Sequence, residues 1–530
     1  MPRRASANKK KQQDQPIEVT LWAAAKKLRG KVEPSEYKHV VLSLIFLKYA
    51  NDRFDMQRQK ILDERGEQGE FFAEMVQFYA KDNVFYIPVN ARWDYIMSQA
   101  KQPDIAITID TALSDIEKAN PSLAGALPDN YYSRLNLSEG TLSGLLDDLN
   151  DIDLQKEPDK DIFGRIYEYF LRQFAIQEGK GKGEYYTPKS IVALLCELIE
   201  PYDGKVYDGA CGSGGMFVQS VKFVDEHHGN KKNISIYGQE SIDTTRRLAK
   251  MNLAIRGITA NLGEAAESTF QKDQFPDLKV EYALMNPPFN QADWRTDKEL
   301  TDDPRWKGYR TPPASNANYA WILNMVSKLS ENGTGCLLLA NGALSVGSEG
   351  NDEYEIRKQL IENDLVEAII VLPMSMFYST DISVTVWVFN KNKHARVVNK
   401  GGRDIHFRSR VGEILFMDLR QMGHPYEKKY IEFTDDDRAA ITKTFHDWQT
   451  EDGIAEYHDT REYCASVKTS NLDDYNLIPS KYIELEHKTV VGNYETEMTE
   501  LQEELKRLYV QEENSRNGIK IVMEALGYGI

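Results

Sequence analysis

From residue 190 onward, short apolar runs alternate with segments long enough to form helices, and this alternation restricts the chain to a small group of folds. Strands joined by helix-length connections normally lie parallel in one sheet that is covered by helices. The pattern therefore predicts an α/β domain built on a doubly wound parallel sheet. A helix is predicted at Ser190–Ile199, and strands are predicted at Lys205–Tyr207, Ser235–Gly238, Tyr282–Met285, Gly335–Ala340, Val366–Leu372, Val384–Asn390 and Glu413–Met417.

The sequence changes character along its length in a way that indicates several domains. A chain of 530 residues is too long for one ordinary core, so two or three domains are expected. We predict a disordered basic tail at 1–16, a helical domain at 17–175, the α/β domain at 176–425 and a C-terminal extension at 426–530. In the extension, apolar residues spaced three and four apart predict an amphipathic helix, at Met498, Leu501, Leu505 and Leu508.

The chain is acidic, with a formal net charge of −17. Because phosphate contacts come from lysine and arginine, this balance alone argues against nucleic-acid binding over the whole surface. Residues 391–410 are an exception, since their lysines and arginines stand against one acid, Asp404. Two interpretations of this basic run remain open: a DNA-facing hairpin, or a solvated loop, which is the commoner use of charged residues.

Cysteine use and hydrophobicity bear on the cellular compartment. The 4 cysteines lack CxxC or His–Cys spacing, which favours a reducing cytoplasm and predicts no metal site. No apolar run approaches the ~20 residues that span a membrane. The N-terminus lacks the apolar core of a secretory signal. We therefore expect a cytoplasmic protein without a membrane anchor.

Directly after the strand at Lys205–Tyr207, the chain reads Asp208-Gly-Ala-Cys-Gly-Ser-Gly-Gly215. Such a glycine turn lets a ligand approach the backbone N–H groups at the start of the following helix. Glu240 ends the next strand, where a carboxylate can accept hydrogen bonds from both ribose hydroxyls of a nucleoside. Simpler explanations are a tight turn or generic nucleotide loop for the glycines, and a solvated cap for Glu240.

The most specific motif is Asn286-Pro-Pro-Phe289, which follows the apolar strand Tyr282–Met285. Its prolines make a rigid turn, and the Asn286 side-chain oxygen and the Pro287 carbonyl can both accept hydrogen bonds from an exocyclic amine. Phe289 can stack on the ring that carries this amine. A base within a duplex cannot reach such a pocket, so a nucleic-acid target must be flipped out. The alternative is a proline turn in an ordinary loop.

A third motif, Glu184-Tyr-Tyr-Thr-Pro188, precedes the first helix of the α/β domain. Because the residue before a proline tends to be extended, Thr187 can point its backbone and hydroxyl toward a bound cofactor. Taken alone, a Thr-Pro helix start is the simpler explanation.

With these motifs in this order, the sequence resembles the DNA-methylating modification subunit of type I restriction–modification systems. The resemblance covers about residues 17–485 and also includes Gly238–Glu240, Arg246–Asn252 and Leu372–Phe377. It implies a helical N-terminal domain, a Rossmann-like methyltransferase domain that uses S-adenosylmethionine, and a C-terminal helical tail. It also implies that the reaction is N6 methylation of adenine in double-stranded DNA.

The resemblance further implies roles for individual residues, with no metal among the ligands. The target adenine is expected to be held by Asn286, Pro287, Pro288 and Phe289. The cofactor is expected to be lined by Glu184, Tyr185, Tyr186, Thr187, Pro188, Lys189, Asp208, Gly212, Ser213, Gly214, Gly215 and Glu240.

Partners also follow from the resemblance. Because no long DNA-reading domain remains in the chain, sequence specificity is expected from a separate specificity subunit, with two copies of this chain per specificity chain. A restriction subunit could join them. The segment Thr496–Tyr509 is the candidate contact with the specificity subunit.

The sequence departs from the family pattern at two positions. The family usually has proline after the first motif's aspartate, where this chain has Gly209, and this change is expected to loosen the turn. The family often has Asp-Thr-Phe before the target strand, where this chain has Ser268-Thr-Phe270, with Glu267 just upstream. Which carboxylate contacts the cofactor adenine therefore stays open.

Other functions share some of these features. Protein-glutamine methylases use similar turns, but they usually carry tyrosine at the position of Phe289 and lack a long helical preface. A non-catalytic scaffold for a specificity subunit conflicts with the intact Asn286–Phe289 motif. A stand-alone restriction–methylation fusion requires a nuclease motif that the N-terminal region does not show.

Overall fold

The computed structural model describes residues 17–26, 34–135, 137–151, 162–178, 186–227, 229–378, 380–426, 429–485 and 494–525. The chain forms two compact units, Met1–Ile483 and Glu484–Ile530. The tail predicted at 1–16, and Glu184 and Tyr185 of the third motif, lie outside the described residues. The domain boundaries placed at residues 175 and 425 remain predictions.

The N-terminal part is helical, as predicted. Its longest helix begins at Pro34, whose fixed φ suits a first helical turn. The segment from Val40 to Leu47 is buried on all sides, so this helix forms the centre of the N-terminal core. The helices are α1 (Ile17–Ala25), α2 (Pro34–Arg65), α3 (Gly69–Ala73), α4 (Gln77–Ala80), α5 (Trp93–Gln99), α6 (Ile105–Ala119), α7 (Glu139–Asn150) and α8 (Ile162–Glu178).

Strands follow in the second half of the chain, and every predicted strand coincides with one of them. They are β1 (Gly204–Asp208), β2 (Ile234–Gly238), β3 (Ala260–Asn261), β4 (Val280–Met285), β5 (Leu329–Ala340), β6 (Val366–Val371), β7 (Val384–Asn390), β8 (Arg396–Lys400), β9 (Arg403–Phe407), β10 (Glu413–Asp418), β11 (His424–Tyr426), β12 (Tyr430–Glu432) and β13 (Cys464–Lys468). One nine-stranded sheet has the order β13-β10-β6-β7-β5-β4-β1-β2-β3, while β8 pairs with β9 and β11 with β12.

The large sheet is mixed, which corrects the prediction of a parallel sheet. Strands β1 to β5 are parallel to one another, but β7 runs antiparallel between β5 and β6, and β13 runs antiparallel to β10. The connection from β6 to β7 spans 372–383, and its described residues contain no helix. Because a parallel return needs a longer crossover, this short connection reverses the strand direction.

Helices cover both faces of the sheet, so the doubly wound α/β architecture is confirmed. Along β5, Cys336 and Leu338 face one apolar cluster while Leu337 and Leu339 face the other, as the two-residue period of a strand requires. The covering helices are α9 (Lys189–Ile199), α10 (Gly215–Glu226), α11 (Asp243–Ile255), α12 (Asn318–Lys328), α13 (Asp352–Glu362) and α14 (Asp435–Gln449).

The sheet order creates a crevice beside β1. The chain places β2 and β3 on one side of β1 and then returns to place β4 and β5 on the other. At such a switch point the connections leave the carboxyl ends of the two strands in opposite directions, and ligands bind between them. Asp208 ends β1 and Asn286 follows β4, so the two sharpest sequence motifs meet at this crevice.

The basic run at 391–410 includes the β8–β9 hairpin, and the fold uses much of its charge internally. The buried side chains of Lys393 and Arg410 exclude a simple solvated loop. Cations held in ion pairs are less available for phosphate, which weakens the case for a DNA-facing hairpin. The pairs are Lys393–Asp364 at 2.6 Å, Lys400–Glu200 at 3.0 Å, Arg408–Glu413 at 2.8 Å and Arg410–Glu367 at 2.6 Å.

The second unit contains α15 (Tyr494–Ala525), a helix of 32 residues. The predicted amphipathic helix lies within it, and Leu501, Leu505 and Leu508 of the apolar seam are exposed. None of the described helices has both the length and the apolar character needed to cross a membrane.

Candidate active site

A cleft of about 1060 Å³ opens at the carboxyl ends of β1, β2 and β4. It brings together six of the residues predicted from sequence: Tyr186, Gly212, Ser213, Glu240, Asn286 and Pro288. A smaller cavity of about 340 Å³ shares four of these residues and adds Thr187, Asp208 and Gly215. The three sequence motifs thus meet in one place, although about 100 residues separate Thr187 from Asn286.

The turn after β1 owes its shape to glycine. Gly212 and Gly214 have φ values of +52° and +79°, in the left-handed region that side chains rarely tolerate. Gly214 is also the N-cap of α10, so the helix starts directly beside the cleft. The Asn252 side chain donates to the carbonyl oxygen of Ser213 at 2.7 Å and ties the turn to the helix Asp243–Ile255.

Gly209 does not loosen this turn, contrary to the expectation from its departure from the family pattern. A Cβ atom at this position would lie 2.8 Å from the Tyr207 hydroxyl and 3.2 Å from Asn324 Nδ2. The Thr269 hydroxyl also donates to the Gly209 carbonyl oxygen at 2.5 Å. Glycine is therefore the residue that fits this close approach.

Glu240 is fixed by two backbone donors. The N–H of Gly212 donates to Oε2 at 3.0 Å, and the N–H of Ile242 donates to Oε1 at 2.9 Å. These bonds tie the end of β2 to the glycine turn after β1. Each carboxylate oxygen can accept a further hydrogen bond, so a ligand hydroxyl can still be received.

Asp208 is almost completely buried at the end of β1. Burial raises the pKa of its carboxyl to about 8, and the nearby charge of Glu240 adds to this effect. The backbone N–H of Ala210 donates to Oδ1 at 2.9 Å and offsets part of the shift. Asp208 is therefore mostly protonated at neutral pH.

Asn286 presents one oxygen that the fold leaves without a partner. Its Nδ2 donates to the Thr187 hydroxyl at 2.8 Å. Its Oδ1 is buried and accepts no hydrogen bond from the described residues. A buried polar atom without a partner costs about 1–3 kcal/mol, so an arrangement of this kind suits a site where a ligand completes the bonding.

Aromatic rings lie next to Asn286. The Phe289 ring meets the Phe377 ring edge-on, with centroids 5.9 Å apart. The Tyr186 ring stacks on Tyr378 at 6.2 Å with an interplanar angle of 19°. Phe377 belongs to the Leu372–Phe377 motif, and Tyr378 follows it directly. A flat heterocycle held at Asn286 would therefore find aromatic surface within reach.

Comparisons with known proteins agree with this geometry. The family model described as N-6 DNA Methylase matches residues 158–489, and the HsdM N-terminal domain model matches residues 17–149. The HindI methylase subunit of a type I restriction enzyme from Haemophilus influenzae is 40% identical over 466 residues, covering 83% of this chain and 100% of that relative. The chain belongs to the methylase subunits of type I restriction enzymes. Its reaction is N6 methylation of adenine in DNA.

A second methylase subunit and a solved structure extend the comparison. The MjaIX methylase subunit from Methanocaldococcus jannaschii is 34% identical over 533 residues, covering 97% of this chain and 92% of that relative. The crystal structure of a type I methyltransferase subunit from Streptococcus thermophilus superposes with a TM-score of 0.70 at 22% identity, covering 88% of this chain and 99% of that one. The predicted fold class of this methylase subunit is thereby confirmed.

Some residues assigned from sequence lie away from the cleft of the methylase subunit. Lys189 does not line it; its amine pairs with Glu168 at 3.5 Å, and it lines a separate cavity together with Pro188. Gly214 and Pro287 shape the two turns without forming the wall of the cleft. Glu184 and Tyr185 lie outside the described residues.

Other residues that form the cleft were not found from sequence. Leu171, Phe174 and Ala175 reach it from α8, a helix that packs in the N-terminal core, so this helix supplies part of the wall. No local motif marks them, because they meet the cleft only through packing of the two domains. Further lining residues come from the turns after β2, β3 and β4 and from α12: Ile242, Ser268, Thr269, Phe270, Gln291 and Trp321.

Helix α11 contacts both the N-terminal domain and the glycine turn. On one side, the Tyr167 hydroxyl donates to the Leu248 carbonyl at 2.9 Å, and Arg247 donates to the Leu127 carbonyl at 2.7 Å. On the other side, Asn252 donates to Ser213 in the glycine turn. Helix α11 of the methylase subunit is therefore bonded both to the N-terminal helices and to the glycine turn of the candidate site.

Proposed function

We propose that this methylase subunit transfers a methyl group from S-adenosylmethionine to the N6 amine of an adenine flipped out of double-stranded DNA. The observation that carries the proposal is the buried, unpartnered Oδ1 of Asn286, held in place through Thr187. An amide oxygen there can accept a hydrogen bond from an exocyclic N–H. Adenine, cytosine and guanine all carry such an amine on a flat ring, and the match to the N-6 DNA Methylase family selects adenine.

The residues of the cleft fit S-adenosylmethionine. The glycine turn leaves room for the ligand beside Gly212–Gly215, and Glu240 suits the ribose hydroxyls. We assign further cofactor contacts to Tyr186, Thr187 and Asp208, which line the two cavities, while Glu184 and Tyr185 remain predicted contacts. When bound, the cofactor supplies a sulfonium methyl group, which moves to the adenine nitrogen as its bond to sulfur breaks.

Asn286 and Pro287 act on the amine without removing a proton beforehand. The Asn286 side-chain oxygen and the Pro287 carbonyl each accept one N–H, and this fixes the nitrogen with its lone pair toward the methyl group. Both acceptors also stabilise the positive charge that the nitrogen gains during transfer. The methylated amine then releases one proton to water, which leaves neutral N6-methyladenine and S-adenosylhomocysteine. Pro287 and Pro288 keep the turn rigid, and Phe289 stacks on the base.

The base must leave the duplex to reach this turn, because Asn286 is buried at the bottom of the cleft. We propose that a specificity subunit reads the DNA sequence, that two copies of this chain join it, and that α15 supplies the contact. A restriction subunit can join the same assembly. The large negative charge of this chain agrees with DNA affinity borrowed from a partner. Because the substrate is genomic DNA, we propose a cytoplasmic location.

The test is modification-sensitive sequencing of genomic DNA from cells that carry the intact chain or the Asn286→Ala variant. We expect N6-methyladenine at a split motif, with two short blocks around a fixed gap, and its complete loss in the variant. Calorimetry with S-adenosylhomocysteine is the control, and the variant should bind it nearly as well as the intact chain. Methylation at the normal level by Asn286→Ala contradicts the acceptor role, and a short continuous motif contradicts the separate specificity subunit.

A further inference from the structure

Two buried polar atoms in the cleft remain without a function after Asn286 is assigned. Of the described residues that line the cleft, Asn286, Gln291 and Trp321 carry buried side-chain polar atoms with no hydrogen-bond partner. The atoms are Oδ1 of Asn286, Oε1 of Gln291 and Nε1 of Trp321. Under the proposed function, Asn286 Oδ1 accepts from the target amine. One acceptor, Gln291 Oε1, and one donor, Trp321 Nε1, then remain.

The position of this second pair follows from the rest of the cleft. If the glycine turn holds the amino-acid end of the cofactor and Glu240 holds the ribose, the base must lie against the lining that remains. That lining includes Ile242, Phe270, Gln291 and Trp321. Ile242 is an exposed apolar side chain, and the Phe270 and Trp321 rings pack with centroids 4.3 Å apart. Ile242 and Phe270 offer apolar surface for the faces of a base, and the polar atoms of Gln291 and Trp321 are available to its edge.

The two atoms are complementary to the edge of adenine. Adenine presents an exocyclic amine that donates and ring nitrogens that accept. The Gln291 amide oxygen accepts, and the Trp321 indole N–H donates. Glutamine is one of the side chains that pair best with adenine, because its amide matches the amine and a ring nitrogen.

Among the described residues that line the cleft, Glu240 is the only carboxylate, and it is already assigned to the ribose. Ser268 stands where the related family often has aspartate. The carboxylate just upstream, Glu267, does not line the cleft, and it pairs with Lys272 at 3.3 Å. The cleft thus holds an unpartnered amide oxygen, that of Gln291, and no second carboxylate among its described residues.

We propose that Gln291 Oε1 accepts a hydrogen bond from the exocyclic amine of the cofactor adenine and that Trp321 Nε1 donates to a ring nitrogen of the same base. The inference rests on the proposed function, since it takes S-adenosylmethionine as the ligand. Each of the two buried atoms accepts or donates no hydrogen bond within the described residues, and a bound adenine would complete that bonding.

The experiment is calorimetric binding of S-adenosylhomocysteine and of its desamino analogue, in which unsubstituted purine replaces adenine. The full chain should prefer S-adenosylhomocysteine by about tenfold, the effect of one hydrogen bond to a buried acceptor. Gln291→Met should weaken S-adenosylhomocysteine by about tenfold and bind both ligands equally. Trp321→Phe, which keeps an aromatic ring but removes the indole N–H, should weaken both ligands by a similar factor and preserve the preference.

Two controls separate this inference from the proposed function. Gln271→Met makes the same change at an exposed glutamine that does not line the cleft, and it should bind like the full chain. Glu240→Ala should weaken both ligands while keeping their ratio. Thermal unfolding of each variant checks that it is folded. An unchanged preference in Gln291→Met, or no preference in the full chain, overturns the adenine assignment alone. A full chain that binds neither ligand overturns the proposed function and this inference together.

Discussion

At the scale of single residues, the hydrogen bond between Thr187 and Asn286 joins two motifs that lie far apart in the sequence. The sequence predicts Thr187 as a cofactor contact, and in the structure its hydroxyl also accepts a hydrogen bond from Asn286 Nδ2. An amide held by its nitrogen keeps its oxygen in one direction. Thr187 therefore acts as a positioning residue for the group that is proposed to hold the target amine.

Removal of this bond should lower the rate of methyl transfer more than it lowers cofactor affinity. We expect Thr187→Val, which keeps the shape but lacks the hydroxyl, to reduce kcat about tenfold, equivalent to one hydrogen bond. Thr187→Ser should restore most of the rate. Steady-state kinetics on duplex DNA, together with calorimetry of S-adenosylhomocysteine, measures both effects. A Val variant with normal kcat, or a Ser variant as slow as Val, shows that the hydroxyl does not position Asn286.

The raised pKa of Asp208 makes stability depend on pH. The folded chain holds a proton on Asp208 up to about pH 8, whereas the unfolded chain loses it near pH 4. Between these values the folded state binds one proton more, so the free energy of unfolding falls as pH rises, by about 1.4 kcal/mol per pH unit.

The Asp208→Asn side chain is uncharged at every pH, so this variant should lack the contribution of Asp208 to the pH dependence of stability. Urea unfolding at pH 5, 6, 7 and 8 measures it, with Asn in place of the exposed Asp277 as the control. Equal slopes in the intact chain and Asp208→Asn contradict the assignment.

At the scale of elements, a buried ion pair fixes the turn before β10 against β6. The side chains of Glu367 and Arg410 are both fully buried and lie 2.6 Å apart. Burial opposes the ionisation of Glu367, but the charges of Arg410 and Lys393 outweigh it and hold its pKa below the ordinary value. The Gln449 amide also donates to Glu367 at 3.1 Å, which ties α14 to the same point.

Breaking this pair on one side should cost far more than replacing both sides. We expect Arg410→Met to lower the free energy of unfolding by about 3–5 kcal/mol, because it leaves a buried charge unpaired. The double variant Glu367→Leu with Arg410→Met should recover much of that loss. Urea unfolding measures the free energy of unfolding of the intact chain, of Arg410→Met and of the double variant. The control is Lys443→Met, which breaks an exposed ion pair with Asp447 and should have little effect. A double variant no more stable than Arg410→Met argues against a coupled pair.

The elements also show which parts of the fold the sequence could predict. Predicted strands at β1, β2, β4 and β7 were found because each is an apolar run bounded by turn residues. Strand direction was predicted wrongly at β7, because direction depends on the connection and not on the strand's own residues. β3 escaped prediction because it is only 2 residues long. The β8–β9 hairpin was one of two alternatives for the basic run, beside a solvated loop, because charged residues obscure the alternation of its strands.

The residues of the candidate site also fall into those that the sequence could place and those that it could not. Asp208, Glu240 and Asn286 could be placed together, because each follows a strand and the carboxyl ends of neighbouring parallel strands meet. Gln291 and Phe174 could not, because their approach to the cleft depends on how a loop folds back and how α8 docks. Tyr378 lies between these cases, since it adjoins a motif found in the sequence but has a contact with Tyr186 that only the fold creates.

At the scale of the whole molecule, the chain divides into two compact units. Under the proposed function, the cleft for methyl transfer belongs to the unit that ends at Ile483, and the proposed contact with the specificity subunit belongs to α15 in the second unit. Exposed leucines at Leu501, Leu505 and Leu508 form the apolar seam of that helix. A seam of this kind suits packing against helices of a partner.

Replacement of Leu501, Leu505 and Leu508 together by serine should abolish stable association with the specificity subunit. Binding of S-adenosylhomocysteine should stay unchanged, because none of these residues lines the cleft. Size-exclusion chromatography of the mixed subunits and calorimetry of the variant measure the two properties. The matched control is serine at Lys506, which lies on the same helix outside the apolar seam. Normal association of the triple variant excludes α15 as the contact.

The double attachment of α11 has a thermodynamic consequence. This helix is bonded to the N-terminal domain through Leu248 and to the cofactor turn through Asn252. A ligand that shifts the helix at one end changes the free energy of binding at the other, and such coupling is reciprocal. If a partner that binds the N-terminal helices raises the affinity for the cofactor by some factor, the cofactor must raise the affinity for that partner by the same factor. The complete assembly would then bind S-adenosylmethionine more tightly than the separate methylase subunit does.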